Sequence, residues 1–481
     1  MRPMRQESAG EADLPLGQGT WRSIEFQATV ALAAMLTPLN STMLAVGLPS
    51  IRSHFDVGVG EMTLLISVYL VAVAAMQPVS GRLGDAYGSI RMMMAGLVLL
   101  IAISAVSALA TNLPMLILMR GLQGAATALV LPNGIAVLRK RTPSARLGTV
   151  LGMNGAALSI AAATGPVIGG ALLLAGDWRL LFLVNVPLSV VAIAFLLRLK
   201  PDEGHGRETL HIDTPSLLAL VAVFGSAVLI GSATRVENPA FLIAGGALLP
   251  LTVAAYWLRS RWGGSIVEFR FFGARNFRSA ASSQGLTNLV MYSFLVSLPL
   301  YLVDLRGVSD QVVSMVLFSL MAAMITLSPV GGALTDRVGR RPLLLGGGFI
   351  IGAATIALMV LFDNPPLAAI IGPLIGVGIG LGISGPARSS AALEAWPRDV
   401  AGSVSGTFSM MRYAGAILGA AIIAALLGPD PGEGAFRLLT VVLAGVAILN
   451  IFVSLEIRDR PKTATAGVIE TPTPVPERPR P

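Results

Sequence analysis

Apolar runs of about twenty residues follow one another along most of this chain, separated by short polar stretches. Wound as helices rising about 1.5 Å per residue, such runs match a bilayer core roughly 30 Å thick. We read fourteen, centred near residues 38, 70, 101, 125, 161, 189, 224, 247, 292, 321, 352, 375, 413 and 445. One polar stretch between runs occurs twice. Residues 78–92 read Pro-Val-Ser-Gly-Arg-Leu-Gly-Asp-Ala-Tyr-Gly-Ser-Ile-Arg-Met, and residues 329–343 read Pro-Val-Gly-Gly-Ala-Leu-Thr-Asp-Arg-Val-Gly-Arg-Arg-Pro-Leu. Gly81 aligns with Gly332, Asp85 with Asp336 and Gly88 with Gly339 without a gap. A repeated turn between apolar spans predicts a chain built from two related halves.

The copies lie roughly 250 residues apart, whereas six helices with short loops occupy roughly 200. The surplus is the length of one helical hairpin. The predicted organisation is therefore an all-α integral membrane protein with 14 transmembrane helices. Residues 1–25 form an N-terminal tail with no removable signal peptide, and 26–198 a six-helix bundle. Residues 199–277 hold an inserted transmembrane hairpin (helices 7 and 8), 278–457 a second, pseudo-symmetric six-helix bundle, and 458–481 a disordered Pro-rich tail.

Composition supports the membrane reading. The chain is 54% hydrophobic and 12% charged, with mean hydropathy +0.76, where a soluble protein carries about 25% charged residues. Charge placement tests the helix count. Most of the 34 Lys and Arg fall on one side, including Arg139, Lys140, Arg141 and Arg146 in one loop and Arg337, Arg340 and Arg341 in another. Arg52, Arg179, Arg235, Arg306 and Arg437 fall on the other side, and Arg120 and Arg412 within spans. The positive-inside rule then places both termini in the cytoplasm and requires an even number of spans. The net charge of +8 reads as topology, not as a nucleic-acid surface, because it is spread over many short loops. There is no cysteine, and His54, His205 and His211 lie in loops on two sides, so no metal site or cofactor is expected. No Gly-x-x-x-x-Gly-Lys-Ser/Thr is present, which argues against an ATP-driven pump.

The two repeats, Gly81-Arg-Leu-Gly-Asp85-Ala-Tyr-Gly88 and Gly332-Ala-Leu-Thr-Asp336-Arg-Val-Gly339-Arg340, resemble the loop motif of the major facilitator superfamily. Arg91 completes the first copy, which has Ala86, Ser89 and Ile90 where basic residues are usual. The resemblance implies a gate on the cytoplasmic side, and the unequal charge makes the second copy the expected stronger half. Arg120-Gly-Leu-Gln123 resembles the family's second motif. Gly165-Pro166-Val-Ile-Gly169-Gly170 resembles its exporter motif, and Asp177-Trp178-Arg179 and Arg412-Tyr-Ala-Gly415 resemble the fourteen-span drug:proton antiporters. This chain has Asn40 where that subgroup normally has Asp, and no Asp or Glu near the centre of any run.

The resemblance implies a multi-pass protein of a bacterial inner membrane that exports amphiphilic drug-like molecules in exchange for protons. Arg120, Gln123 and Glu61 are the coupling candidates, and Asn40, Gln77, Asn154, Asn288 and Tyr292 the polar cavity candidates. Such a cavity suits a neutral or mildly anionic amphiphile better than a strong cation. The expected partners are the small-molecule substrate, protons and the lipid bilayer, with no nucleic acid and a monomer as the working unit. A narrow-specificity metabolite exporter or facilitator without proton coupling is the alternative within transport. A non-transporting sensor or a membrane-embedded enzyme is the alternative outside it.

Overall fold

The computed structural model describes residues 19–57, 59–200, 202, 204, 212–232, 239–261, 265–360, 366–427 and 432–459. The Pro-rich tail, apart from its first two residues, and most of the N-terminal tail lie outside these. The described residues form helices with no strand among them. The first half comprises α1 (Gly19–Phe55), α2 (Val59–Tyr87), α3 (Ser89–Ala108), α4 (Leu113–Ala128), α5 (Leu131–Arg141), α6 (Leu147–Ala175), α7 (Leu180–Leu183) and α8 (Asn185–Leu196). Then come α9 (Thr214–Ser232) and α10 (Pro239–Arg261). The second half comprises α11 (Arg275–Leu300), α12 (Asp310–Val338), α13 (Arg341–Val360), α14 (Leu367–Glu394), α15 (Ala401–Leu427) and α16 (Glu433–Leu455).

Proline explains where the rods break. A proline lacks the N–H that would bond the carbonyl four residues earlier. Pro132 sits in the first turn of α5, and α4 and α5 together make one apolar span, Leu113–Arg141. Pro187 stands in the same place in α8, just after the α7–α8 break, and Pro49 follows a 56° bend in α1. Among the described residues, ten helical spans are long and apolar enough to cross a bilayer, or eleven with the bent α1. The α7–α8 pair and α9 are shorter apolar helices.

α14 corrects the charge assignment made from the sequence. With Arg120 and Arg412 as the arginines placed within spans, Arg388 was counted among the loop charges. The helix instead continues to Glu394, so Arg388 lies within the apolar span and is buried.

The halves meet along two helix pairs, α2 with α15 and α6 with α12. Because α2 and α12 carry the repeated motif, each pair brings one copy of it against the other half. α10 packs on α9, and α9 packs on α2 and α15, where Leu220, Phe224 and Ala227 join Tyr69, Tyr413 and Ile417 in one apolar cluster. Lipid tails are as apolar as leucine, so close backbone approach is a main source of helix association here. Glycines such as Gly81, Gly148, Gly332 and Gly402 allow that approach where the halves touch.

Candidate functional site

The repeated motif builds a reciprocal clasp between the halves. Asp85, near the end of α2, accepts hydrogen bonds from Gly402 N at 2.8 Å and Ser403 N at 2.7 Å, in the first turn of α15. Asp336, near the end of α12, accepts from Gly148 N at 2.8 Å, Thr149 N at 2.7 Å and Thr149 Oγ1 at 2.7 Å, in the first turn of α6. Helix N-termini leave N–H groups without partners and carry the positive end of the dipole, so a carboxylate complements them twice over. The motif glycines make room. A Cβ on Gly81 would stand 2.1 Å from Gly402 O, and one on Gly332 2.5 Å from Gly148 O. No side chain fits either crossing.

Each motif ends in a glycine with left-handed backbone, Gly88 at φ +97° and Gly339 at φ +103°, which turns the chain into the next helix. The N–H groups that follow are capped by two acids that sequence reading did not single out. Ser89 N and Ile90 N donate to Asp202 at 2.8 and 2.9 Å. Arg340 N and Arg341 N donate to Asp459 Oδ1 at 2.6 and 3.1 Å. The available signal was positional: one acid stands a few residues beyond the last helix of each half. Burial pushes the Asp202 carboxyl up. The Ile90 and Ser89 N–H groups and the Lys140 ammonium more than offset that, holding it below the usual carboxylate range.

The structure also explains why the first copy is short of basic residues. Lys140 Nζ, on the facing helix α5, lies 3.5 Å from both Asp85 Oδ1 and Asp202 Oδ2 and bonds Ser89 Oγ at 3.2 Å. In the second half the roles are exchanged: Arg340 supplies the cation and pairs with Glu394 of α14, with Ser390 Oγ at 3.2 Å. Arg91 stands apart from the clasp, exposed and bonded to Tyr87 O at 3.5 Å.

Beyond the clasp a cavity of about 700 Å³ opens between the halves. It starts at Leu151 and Ser328, about a turn from the clasped backbones, and runs away from the motif face to Val167 and Ser314. Eight long helices line it: α1, α2, α5 and α6 from one half, and α11, α12, α14 and α15 from the other. Among the described residues no Asp or Glu lines it, but Arg388 and Arg412 do. Arg388 Nε donates to Gln284 Oε1 at 2.9 Å and Nη1 to Ser384 Oγ at 3.4 Å. Arg412 Nε is buried without a hydrogen-bond partner. Sequence reading placed Arg412 in a span and missed Arg388, which helix continuity through Pro386 would have revealed.

The predicted site residues divide between cavity and interior. Asn154, Asn288 and Tyr292 line the cavity. Asn154 Oδ1 has no partner, and Asn288 Nδ2 donates to Gln284 O at 2.8 Å. Gln77 lies at the contact with α15, fully buried with both amide atoms unpartnered, and does not line the cavity. Asn40, Arg120 and Gln123 sit together behind the cavity wall. Arg120 stacks on the Tyr69 ring at 4.2 Å and donates to Asn40 Oδ1 at 3.2 Å, Gln123 Oε1 at 3.0 Å and Leu65 O at 3.4 Å. Gln123 Nε2 in turn donates to Ser104 Oγ at 2.8 Å. Tyr69 stands between this cluster and the cavity. Glu61 belongs to α2, but its side chain lies outside the described residues.

The glycine-proline segment of α6 forms the crossing with α1. A Cβ on Gly165 would lie 1.9 Å from Thr42 Oγ1, and one on Gly169 2.8 Å from Met43 O. Pro166 lines the cavity, while Gly170 faces open space.

Comparison with known proteins places this architecture. The sequence matches the family profile described as Major Facilitator Superfamily over residues 30–420 and 280–479. It is 30% identical over 431 residues to the uncharacterized MFS-type transporter YvkA of Bacillus subtilis, covering 89% of this chain and 95% of that protein. It is 23% identical to the multidrug transporter protein MdtP of the same organism, covering 84% of this chain and 75% of that one. The fold superposes on the proton:xylose symporter XylE with a TM-score of 0.64 at 13% sequence identity, over 89% of this chain and 94% of that one.

Proposed function

The chain belongs to the major facilitator superfamily, and from that premise we propose that it exports amphiphilic small molecules by alternating access across a bacterial plasma membrane. Transporters, not enzymes, make up this family, and the relatives YvkA and MdtP are proteins of a bacterium. In this reading the chain crosses the membrane fourteen times, α9 and α10 forming a hairpin inserted between two six-helix halves. The motif face and both termini are cytoplasmic. One observation carries the proposal: a cavity between the halves is clasped shut at the motif face by Asp85 and Asp336 and extends away from it. Breaking the clasps and closing the far side would present the same cavity to the cytoplasm. Transport without proton exchange fits a cavity that no Asp or Glu lines among the described residues.

Proton exchange is the second reading. It is supported by the resemblance of Asp177-Trp178-Arg179 and Arg412-Tyr-Ala-Gly415 to the fourteen-span drug:proton antiporters. The test is accumulation of a panel of fluorescent amphiphiles in cells with and without the protein. Exporting cells should retain several-fold less of at least one compound, and equal retention across the panel would overturn the proposal. Proteoliposomes then separate the two modes: substrate addition acidifies or alkalinises the lumen only if protons move in exchange.

A further inference from the structure

We propose that the cavity selects an anionic amphiphile, its carboxylate, sulfonate or phosphate group held between Arg388 and Arg412. The inference rests on the transport reading above and names the substrate class of that same cavity. Both guanidinium groups line one cavity, within electrostatic reach of each other, and among the described residues neither forms an ion pair with a carboxylate. A buried charge is costly unless it is paired. Gln284 and Ser384 orient Arg388 through neutral oxygens and leave its charge uncompensated. Arg412 keeps a buried Nε–H without an acceptor. An entering oxyanion supplies acceptors and charge to both, in the planar geometry that guanidinium groups favour. A cationic guest would add a third like charge with no acid to receive it.

Arg120 does not line this cavity. Its Nε and Nη1 donors are engaged behind Tyr69. The remaining wall is adaptable: Met291 and Leu295 on α11 face Met315, Phe318 and Met321 on α12, and thioether side chains accommodate apolar bodies of varied shape. A volume of about 700 Å³ matches a drug-sized guest.

The test uses the purified full chain in nanodiscs of neutral lipid. The probe is a fluorescent naphthalenesulfonate with an alkyl tail. Its two analogues carry a carboxamide or a trimethylammonium group in place of the sulfonate. Fluorescence anisotropy should show the sulfonate binding more than about tenfold tighter than the ammonium compound. Arg412→Gln should weaken sulfonate binding about tenfold and leave the carboxamide within about twofold. Arg388→Lys should fall between wild type and Arg388→Gln. Unchanged carboxamide binding reports an intact cavity in each variant. Equal or tighter binding of the ammonium probe, or sulfonate binding indifferent to both arginines, would overturn the proposal. Reconstituted flux keeps the two readings apart. Sulfonate binding without flux would overturn transport and leave the site standing, while flux without charge discrimination would do the reverse.

Discussion

A chain carrying Gly155→Cys and Ser328→Cys is expected to lose transport on oxidation and to regain it on reduction. Gly155 lies on α6 and Ser328 on α12, where the halves touch beside the clasp of Asp336. A Cβ at Gly155 would stand 4.0 Å from Ser328 Cβ, inside the range of about 3.5–4.5 Å that a disulfide requires. The nearest atom such a Cβ would meet is Ser328 Oγ at 2.8 Å, which the second substitution replaces. The cost before oxidation is the bond from Ser328 Oγ to Gly152 O at 3.0 Å, about 1 kcal/mol for a neutral hydrogen bond. The natural chain has no cysteine, so no other disulfide can form and the single variants serve as controls. If α6 and α12 must part to open the motif face, a covalent link removes one of the two states. Flux in proteoliposomes should then fall by more than about tenfold, since no differential affinity can repopulate a state that is covalently excluded. Normal flux in the cross-linked protein would mean that α6 and α12 do not separate, and alternating access at this interface would be abandoned.

The clasp was legible in the sequence because its parts are local. A glycine that lets backbones touch, an acid four residues on and a glycine that turns the chain all lie within two helical turns, so linear spacing carries the geometry. The predicted family and all-helical class follow from that repeat and the apolar runs. The partners of the clasp were not legible, because they are tertiary. Asp202 and Asp459 are ordinary loop acids until the fold brings the N-termini of α3 and α13 to them. Lys140 looked like one of several topology-setting charges, yet it stands at Asp85 in a motif copy that has Ala86, Ser89 and Ile90 where basic residues are usual. Arg388 was counted among the loop charges, whereas in the fold α14 continues through Pro386 to Glu394. The place of Arg120 within a span was legible, whereas its partners, Asn40, the Leu65 carbonyl and the Tyr69 face, come from other helices and were not.

Neutralising either clasp should impair transport by a similar factor, although the motif copies differ in charge. From sequence the second copy, with its full set of basic residues, is the expected stronger half. The structure gives the halves equivalent contacts: each carboxylate spans two consecutive N–H groups at the start of a helix in the other half, at 2.7–2.8 Å. Asp85 adds the Lys140 ammonium at 3.5 Å, and Asp336 adds the Thr149 hydroxyl at 2.7 Å. In Asp85→Asn or Asp336→Asn one oxygen becomes an NH₂ group facing an N–H donor. The loss is one charge-assisted bond, about 1.5–3 kcal/mol, and a favourable dipole interaction of about 0.3–1 kcal/mol. Together these shift the balance from clasped to open by roughly 20- to 1000-fold. A single cysteine at Ser389, on the cavity wall near the motif face, reports that shift through its labelling rate with a membrane-impermeant maleimide applied from that face. Labelling should rise and transport should fall in both variants, with the two effects within about threefold of each other because the calculated losses overlap. Lys140→Met should produce a smaller change of the same sign, since its ammonium stands beyond hydrogen-bond distance of Asp85. A large effect of Asp336→Asn beside an Asp85→Asn protein that behaves as wild type would restore the unequal clasp. Motif charge, not the pairing of carboxylate with helix N-terminus, would then set the strength of the gate.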